Sequence, residues 1–156
     1  MAKSPITTVK SIFNVALITV CNIPHEIGCM AEVFGVISDN GINIDMISQT
    51  PPIIGGVCIS FTVDNEDMFK AIICLNSLKK KIKVLSVDVD PNNVKVVIAG
   101  RSIKDTPGVA TNIFRLMAKN NIDIKIITTS ESDITLLIYE KDSQMAESLI
   151  KKEFIV

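Results

Sequence analysis

The 156-residue sequence has no Trp, one Tyr and six Phe, so only 4% of it is aromatic. Platforms for unpaired bases are built from stacked rings, and a chain this poor in them is not organised to hold nucleic acid. It has a single His, His25, and two Arg, Arg101 and Arg115. One loop His offers no Ser/His/Asp or Cys/His arrangement, so no catalytic residue is expected. An excess of charge is lacking too: 16 Lys and Arg against 17 Asp and Glu give a net charge of −1, and no global field draws in a polyanion. Lys79-Lys80-Lys81, the one basic cluster, reads as the cationic close of a helix. No apolar run approaches the roughly 18 residues of a membrane helix; Val15–Val20 is strand-length. The opening Met-Ala-Lys-Ser-Pro lacks the apolar stretch of a signal peptide. A cytoplasmic protein with neither membrane nor nucleic-acid partner is expected. Cys21, Cys29, Cys58 and Cys74 show no Cys-x-x-Cys spacing and sit in apolar or helical runs. They are expected to be reduced and packed, without metal or disulfide. No cofactor is implied.

What the chain does contain is a copy of itself. A shift of 80 positions lays residues 14–50 on residues 94–130 without a gap: Ile18 on Ile98, Gly28 on Gly108, Phe34 on Phe114, Asn40 on Asn120, Ile47 on Ile127. Beyond that the shift is read as 77, Met68 on Met145 and Ile73 on Ile150, because Pro51–Gly56 makes a longer hairpin than Glu131-Ser132-Asp133. Such self-similarity marks duplicated supersecondary units.

Each copy reads alike. Val15–Val20 and Val94–Ala99 are β-branched runs of strand length. Met30, Ala31, Phe34 and Ile37 recur at helical spacing, as do Ala110, Ile113, Phe114 and Met117. Thr106-Pro107 predicts a helix cap, Asn40-Gly41 and Asn120-Asn121 predict helix stops, and Gly55-Gly56 predicts a turn. Strands follow over 43–49 and 123–129, then 57–63 and 134–139. Second helices span 65–80 and 143–153, with Asp64 and Asp142 as caps. Unit one closes with a strand over 83–89, and Pro91-Asn92-Asn93 predicts the link to unit two. Unit two has no room for a fourth strand, whereas Ile6–Ile12 is a strand without a partner. The N-terminal segment therefore completes unit two, giving module one over 13–90 inserted in module two, 5–12 plus 93–156.

A βαββαβ unit with Gly opening its first helix, followed by Asn40-Gly41-Ile42-Asn43-Ile44-Asp45-Met46-Ile47-Ser48-Gln49, resembles an ACT domain. Asn40–Gln49, Thr106-Pro107-Gly108-Val109-Ala110 and Ile127-Thr128-Thr129-Ser130-Glu131 resemble the regulatory region of aspartate kinases, over essentially the whole chain. The resemblance implies an α+β fold of two ferredoxin-like modules with antiparallel sheets, one nested in the other. It also implies allosteric control of aspartate-family biosynthesis by an amino acid, lysine or threonine, bound where modules meet in a homodimer, with a kinase catalytic chain as partner. The family's Lys-Phe-Gly-Gly nucleotide loop is not in this sequence. Carried over position by position, the effector residues are His25, Gly28, Cys29, Met30, Asn43, Asp45 and Gln49, with Thr129, Ser130 and Glu131 facing them. Three positions depart from the pattern: the family usually has Asp, Pro and Ala where His25, Ile27 and Met30 stand.

The residues argue for the same place. The first amides of a helix lack internal partners and suit a carboxylate, and Gly28 opens such a helix. Asp45 is an acid for an ammonium group, and Gln49 offers both donors and an acceptor. Each has a plainer reading: Gly28 and Gly108 as helix entries, Asp45 as the solvent side of an alternating strand, His25 as a solvated loop residue. The rival function is a dimerisation module with no ligand. Other users of the topology fit poorly: the first loop lacks paired Cys for a metal chaperone and Arg for a phosphate-binding hydrolase.

Overall fold

The computed structural model describes residues 4–52 and 56–155; the predicted Gly55-Gly56 turn falls partly outside them. Ten main elements follow in order: β1 (Thr8–Ile23), α1 (Cys29–Ser38), β2 (Ile47–Gln49), β3 (Val57–Asp64), α2 (Met68–Ser77), β4 (Ser86–Ala99), α3 (Val109–Lys119), β5 (Ile124–Thr129), β6 (Asp133–Tyr139) and α4 (Ser143–Phe154). The fold is α+β with two antiparallel βαββαβ repeats, one nested in the other. An inner unit is Asn14–Asn92, and an outer unit joins the segment ending at Phe13 to the segment starting at Asn93.

In the inner unit the strand order is β2-β3-β1-β4, with β1 and β2 each antiparallel to β3. Ile18, Val20, Ile59 and Phe61 alternate onto one face, where Val33 and Ile37 of α1 and Ala71 and Leu75 of α2 cover them. In the outer unit the order is β1-β4-β6-β5, and Val96, Ile98, Leu136 and Ile138 meet Ile113, Met117, Ala146 and Ile150. Ile6 and Val9 belong to that outer core, and the Thr7 N–H donates to the Ala99 carbonyl at 2.8 Å. The N-terminal segment thus supplies the strand that the outer unit lacks.

Helix ends repeat atom for atom. Asn40 Nδ2 donates to the Val36 carbonyl and Asn120 Nδ2 to that of Leu116, both at 2.8 Å. Backbone bonds from Ile42 to Ile37 and from Ile122 to Met117 close the same reversal. Asp64 accepts from the Glu66 N–H as predicted; Asp142 sits at the cap without a side-chain bond.

Several expectations are corrected. Thr106 does not cap α3: Gly108 holds that position with φ 90°, and Thr106 Oγ1 donates to the Ser102 carbonyl instead. Pro91-Asn92-Asn93 is not a linker but lies inside β4, with Asn92 at φ 62°. In the inner unit β4 is an edge strand, so the missing Pro91 donor is tolerated. The second half of the repeat runs at a shift of 75, not 77: Asp67 and Asp142 flank α2 and α4, while Ala71 and Leu75 match Ala146 and Ile150. Burial repeats there, whereas the Met68–Met145 match is a coincidence of identity. Register then aligns the first strands at 78, because Ile18 pairs with Phe61 and Val96 with Leu136. From Ile18 to Gly28 is therefore two residues shorter than from Val96 to Gly108.

The cysteine expectation fails for two of the four. Val20 pairs with Ile59, which makes Cys21 and Cys58 the next rung, and they form a disulfide with Cα atoms 4.1 Å apart. They lie 37 residues apart in sequence; strand pairing alone makes them neighbours. Cys29 and Cys74 are free thiols.

Two outcomes test how the N-terminal strand is held. A Cβ at Gly100 would stand 1.8 Å from the Pro5 carbonyl oxygen, so Gly100→Ala must push that segment away. Urea melts should show a loss of about 1–3 kcal/mol, the usual cost of overpacking, with faster hydrogen exchange at the Thr7 amide. Glu147 of α4 accepts hydrogen bonds from Lys151 and from Ser11 of β1, and these hold its pKa below the ordinary carboxylate value. A folded pKa below the unfolded one contributes stability above the unfolded pKa and loses it as pH falls through the folded one. Glu147→Gln should therefore destabilise at pH 7, and the gap from the parent chain should close on acidification.

Candidate functional site

The site grows out of the end of β1. Regular pairing with β3 breaks between Val20 and Ile23, Asn22 takes φ 59°, and Ile23 pairs with Val57. The chain then runs through Pro24–Ile27 and enters α1 at Gly28, whose φ of 97° suits glycine alone. A side chain there would meet open space, so conformation, not crowding, selects the residue. The Cys29 N–H closes a turn onto the Glu26 carbonyl at 3.3 Å, and the Glu32 N–H makes the first helical bond, to Gly28, at 2.9 Å. The amides of Met30 and Ala31 lie between them, in the turn where a helix has donors to spare.

Beside this turn runs β2, with Gln49 opposite Ile59. Its approach is fixed by the Asp45 N–H on the Thr62 carbonyl and by the Met46 N–H on Thr62 Oγ1, each at 3.0 Å. Between the turn and the strand lies a cleft of about 300 Å³, lined by Ile23, Pro24, His25, Glu26, Ile27, Gly28, Met30, Gln49 and Val57. The walls are mostly apolar, and Glu26 is the acid among them.

Of the expected residues, His25, Gly28, Met30 and Gln49 meet in this cleft. Cys29 does not line it; half-buried, it packs against the inner core and borders a separate hollow of about 510 Å³ with Glu26, Glu32 and Lys81. Asn43 and Asp45 are outside the lining as well. Thr129, Ser130 and Glu131 belong to the β5–β6 hairpin of the outer unit. There Ser130 Oγ accepts from the Ser132 and Asp133 N–H groups and donates to the Asp133 carboxylate, and Glu131 pairs with Lys104 at 3.3 Å. These contacts give that motif a turn-forming role of its own.

Glu26 is the residue that sequence reasoning passed over. The resemblance points to His25 as the replacement of an acid, whereas an acid stands one position later and lines the cleft. Its signal was visible: a carboxylate two residues before a helix-opening Gly. Ile27, at the Pro position of the family, lines the mouth and is fully exposed. Among the described residues no three His, Cys, Asp or Glu side chains gather as a metal would require, and no helix is long and apolar enough to cross a membrane.

Comparison with known proteins bears on the same regions. The profile of the ACT domain family matches twice, over residues 18–78 and 96–154. The aspartokinase of Helicobacter pylori (strain ATCC 700392 / 26695) is 34% identical over 133 residues, 85% of this chain and 32% of that protein. That of Corynebacterium efficiens is 30% identical over 156 residues, 99% of this chain and 37% of that protein. The chain thus spans about a third of the length of the curated relatives it matches. Among solved structures, the ligand-free regulatory subunit of aspartate kinase from Thermus thermophilus superposes with a TM-score of 0.87 at 28% identity, covering 95% of this chain and 97% of that one. A structure of aspartokinase alpha and beta subunits gives 0.87 at 32% identity, covering 94% and 97%. Two profile matches, one on each βαββαβ repeat, place this chain in the ACT domain family, as a tandem pair of the kind found in aspartate kinase regulatory regions.

Proposed function

We propose that this chain is the amino-acid-sensing module of an aspartate kinase, binding lysine or threonine in the cleft at the start of α1 and relaying feedback control to a kinase catalytic chain in the cytoplasm. The observation that carries this reading is the convergence of Glu26, Gln49 and the first turn of α1 on one cleft. The three are complementary to the two ends of an amino acid. The amides of Met30 and Ala31 receive the carboxylate, at the end of the helix where the dipole favours negative charge. Glu26 and the Gln49 carbonyl oxygen accept from the ammonium group. The remaining positions of the expected set, among them Asn43, Asp45 and the Thr129–Glu131 motif, enter through a homodimer of modules that brings further surface to the cleft. Edge strands also favour dimerisation: β2 and β5 end the strand orders of their units, and soluble proteins pair or cover such edges.

Calorimetric titration with lysine and with threonine tests the reading. One of them should bind the parent chain, and light scattering at tens of micromolar should give a dimer. Gln49→Ala should weaken binding by about 1–3 kcal/mol, the cost of leaving a partner unsatisfied. Met30→Ala should preserve or raise affinity, because it clears space that the family normally leaves. Opposite responses separate a site effect from general destabilisation. Equal losses in both variants, or no amino acid bound by the parent, would leave a structural dimerisation module.

A further inference from the structure

The Cys21–Cys58 bridge stands where the cleft is attached to the sheet. On one side of it β1 loses regular register and leads through Ile23 into the cleft-lining loop. On the other side Cys58 is followed backwards by Val57, which pairs with Ile23 and lines the opposite wall. The Cys58 backbone also holds the end of β2: the Thr50 N–H donates to the Cys58 carbonyl at 3.0 Å, and the Cys58 N–H donates to Thr50 Oγ1 at 3.3 Å. Thr50 follows Gln49 directly. One covalent bond therefore ties together the loop, the wall and the strand that form the cleft, at the rung where backbone pairing stops being regular.

Both sulfurs belong to half-buried residues. Their neighbours Val20 and Ile59 point into the core, so alternation turns Cys21 and Cys58 to the other face of the strands, with the bonded Thr19–Ser60 hydroxyl pair two rungs before them. A thiol reagent can reach such a bridge without unfolding the core. Bridges in a reducing compartment, the one proposed above, are turned over and do not persist as permanent staples.

We infer that Cys21–Cys58 is a thiol–disulfide control site for ligand binding in the adjoining cleft, an inference that rests on the functional reading above. A dithiol reductant attacks one sulfur and forms a mixed disulfide. Closure of the reductant's own disulfide then releases the second sulfur. The bridge takes up two electrons and two protons and becomes two thiols, while the dithiol is oxidised by the same two electrons. Two thiols need more room than a bond, so the rung opens and Ile23, Val57 and Gln49 lose their fixed spacing. A cleft that must be ordered on binding holds its ligand less tightly.

The test titrates threonine and lysine into the full chain, first air-oxidised and then after dithiothreitol. Thiol counts under denaturing conditions must be two before reduction, from Cys29 and Cys74, and four after it. Reduction should weaken binding about fivefold or more, the low end of ordinary coupling between sites. A C21S/C58S double variant should bind like the reduced chain and ignore dithiothreitol; C74S, at the free thiol on the core side of α2, should respond like the parent. Equal affinity in the two states, or four thiols in the air-oxidised chain, overturns the inference while leaving the functional reading intact. Absence of binding in both states overturns the functional reading. Hydrogen exchange at Gln49 and Thr50 then decides the inference alone: it must quicken on reduction, and unchanged exchange overturns it.

Discussion

Everything at the site hangs on the antiparallel pairing of β1 with β3. That ladder puts Ile18 opposite Phe61 and Val20 opposite Ile59, which supplies the flat apolar face on which α1 and α2 rest. One rung further the same register sets Cys21 against Cys58; it then shifts, and pairing resumes with Ile23 against Val57. From there the chain has only the stretch from Pro24 to Ile27 before Gly28 must open the helix. The cleft is thus the space left where a regular ladder gives way to a helix start. Gly56 shows how tight the junction is, since a Cβ there would stand 2.7 Å from the Ile23 carbonyl oxygen.

Much of this was legible in the residues. The helical spacing read for α1 and α3 holds at Ile37, Ile113 and Met117, which are buried, whereas the other buried position of α1 is Val33 and Ala31 is exposed; the Asn stops are real bonds. Counting strands was enough to move Ile6 and Val9 into the outer core. Where the reading slipped, it had followed residue identity and the structure followed burial. Met68 and Met145 look alike, but Ala71 and Ala146 do the same work. The bridge was illegible for a different reason: spacing along the chain says nothing about rungs across a ladder. Asp45 stands ahead of β2, which begins at Ile47, and outside the cleft lining, so the strand pattern read over 43–49 does not give its position, and Glu26 lies in a loop whose path no periodicity describes.

The two units show how far one backbone plan can be kept while its chemistry changes. Both open their first helix at a Gly with φ near 90°, 97° at Gly28 and 90° at Gly108. Ahead of Gly108, however, the loop is longer, and Thr106 turns its hydroxyl back onto the Ser102 carbonyl. The position matching Asp45 is Lys125, whose ammonium lies 3.5 Å from the centroid of the Tyr139 ring and donates to Asn93. The position matching Gln49 is Thr129, which leads into the Ser130 hairpin. A cation stands where the inner unit has an acid, and the position matching Gln49 leads into a turn whose side chains are bonded to its own backbone. Duplication therefore preserved the scaffold, in which apolar residues of many kinds serve equally well. It did not preserve the polar set, in which a single change from Asp45 to Lys125 reverses the charge at matching positions.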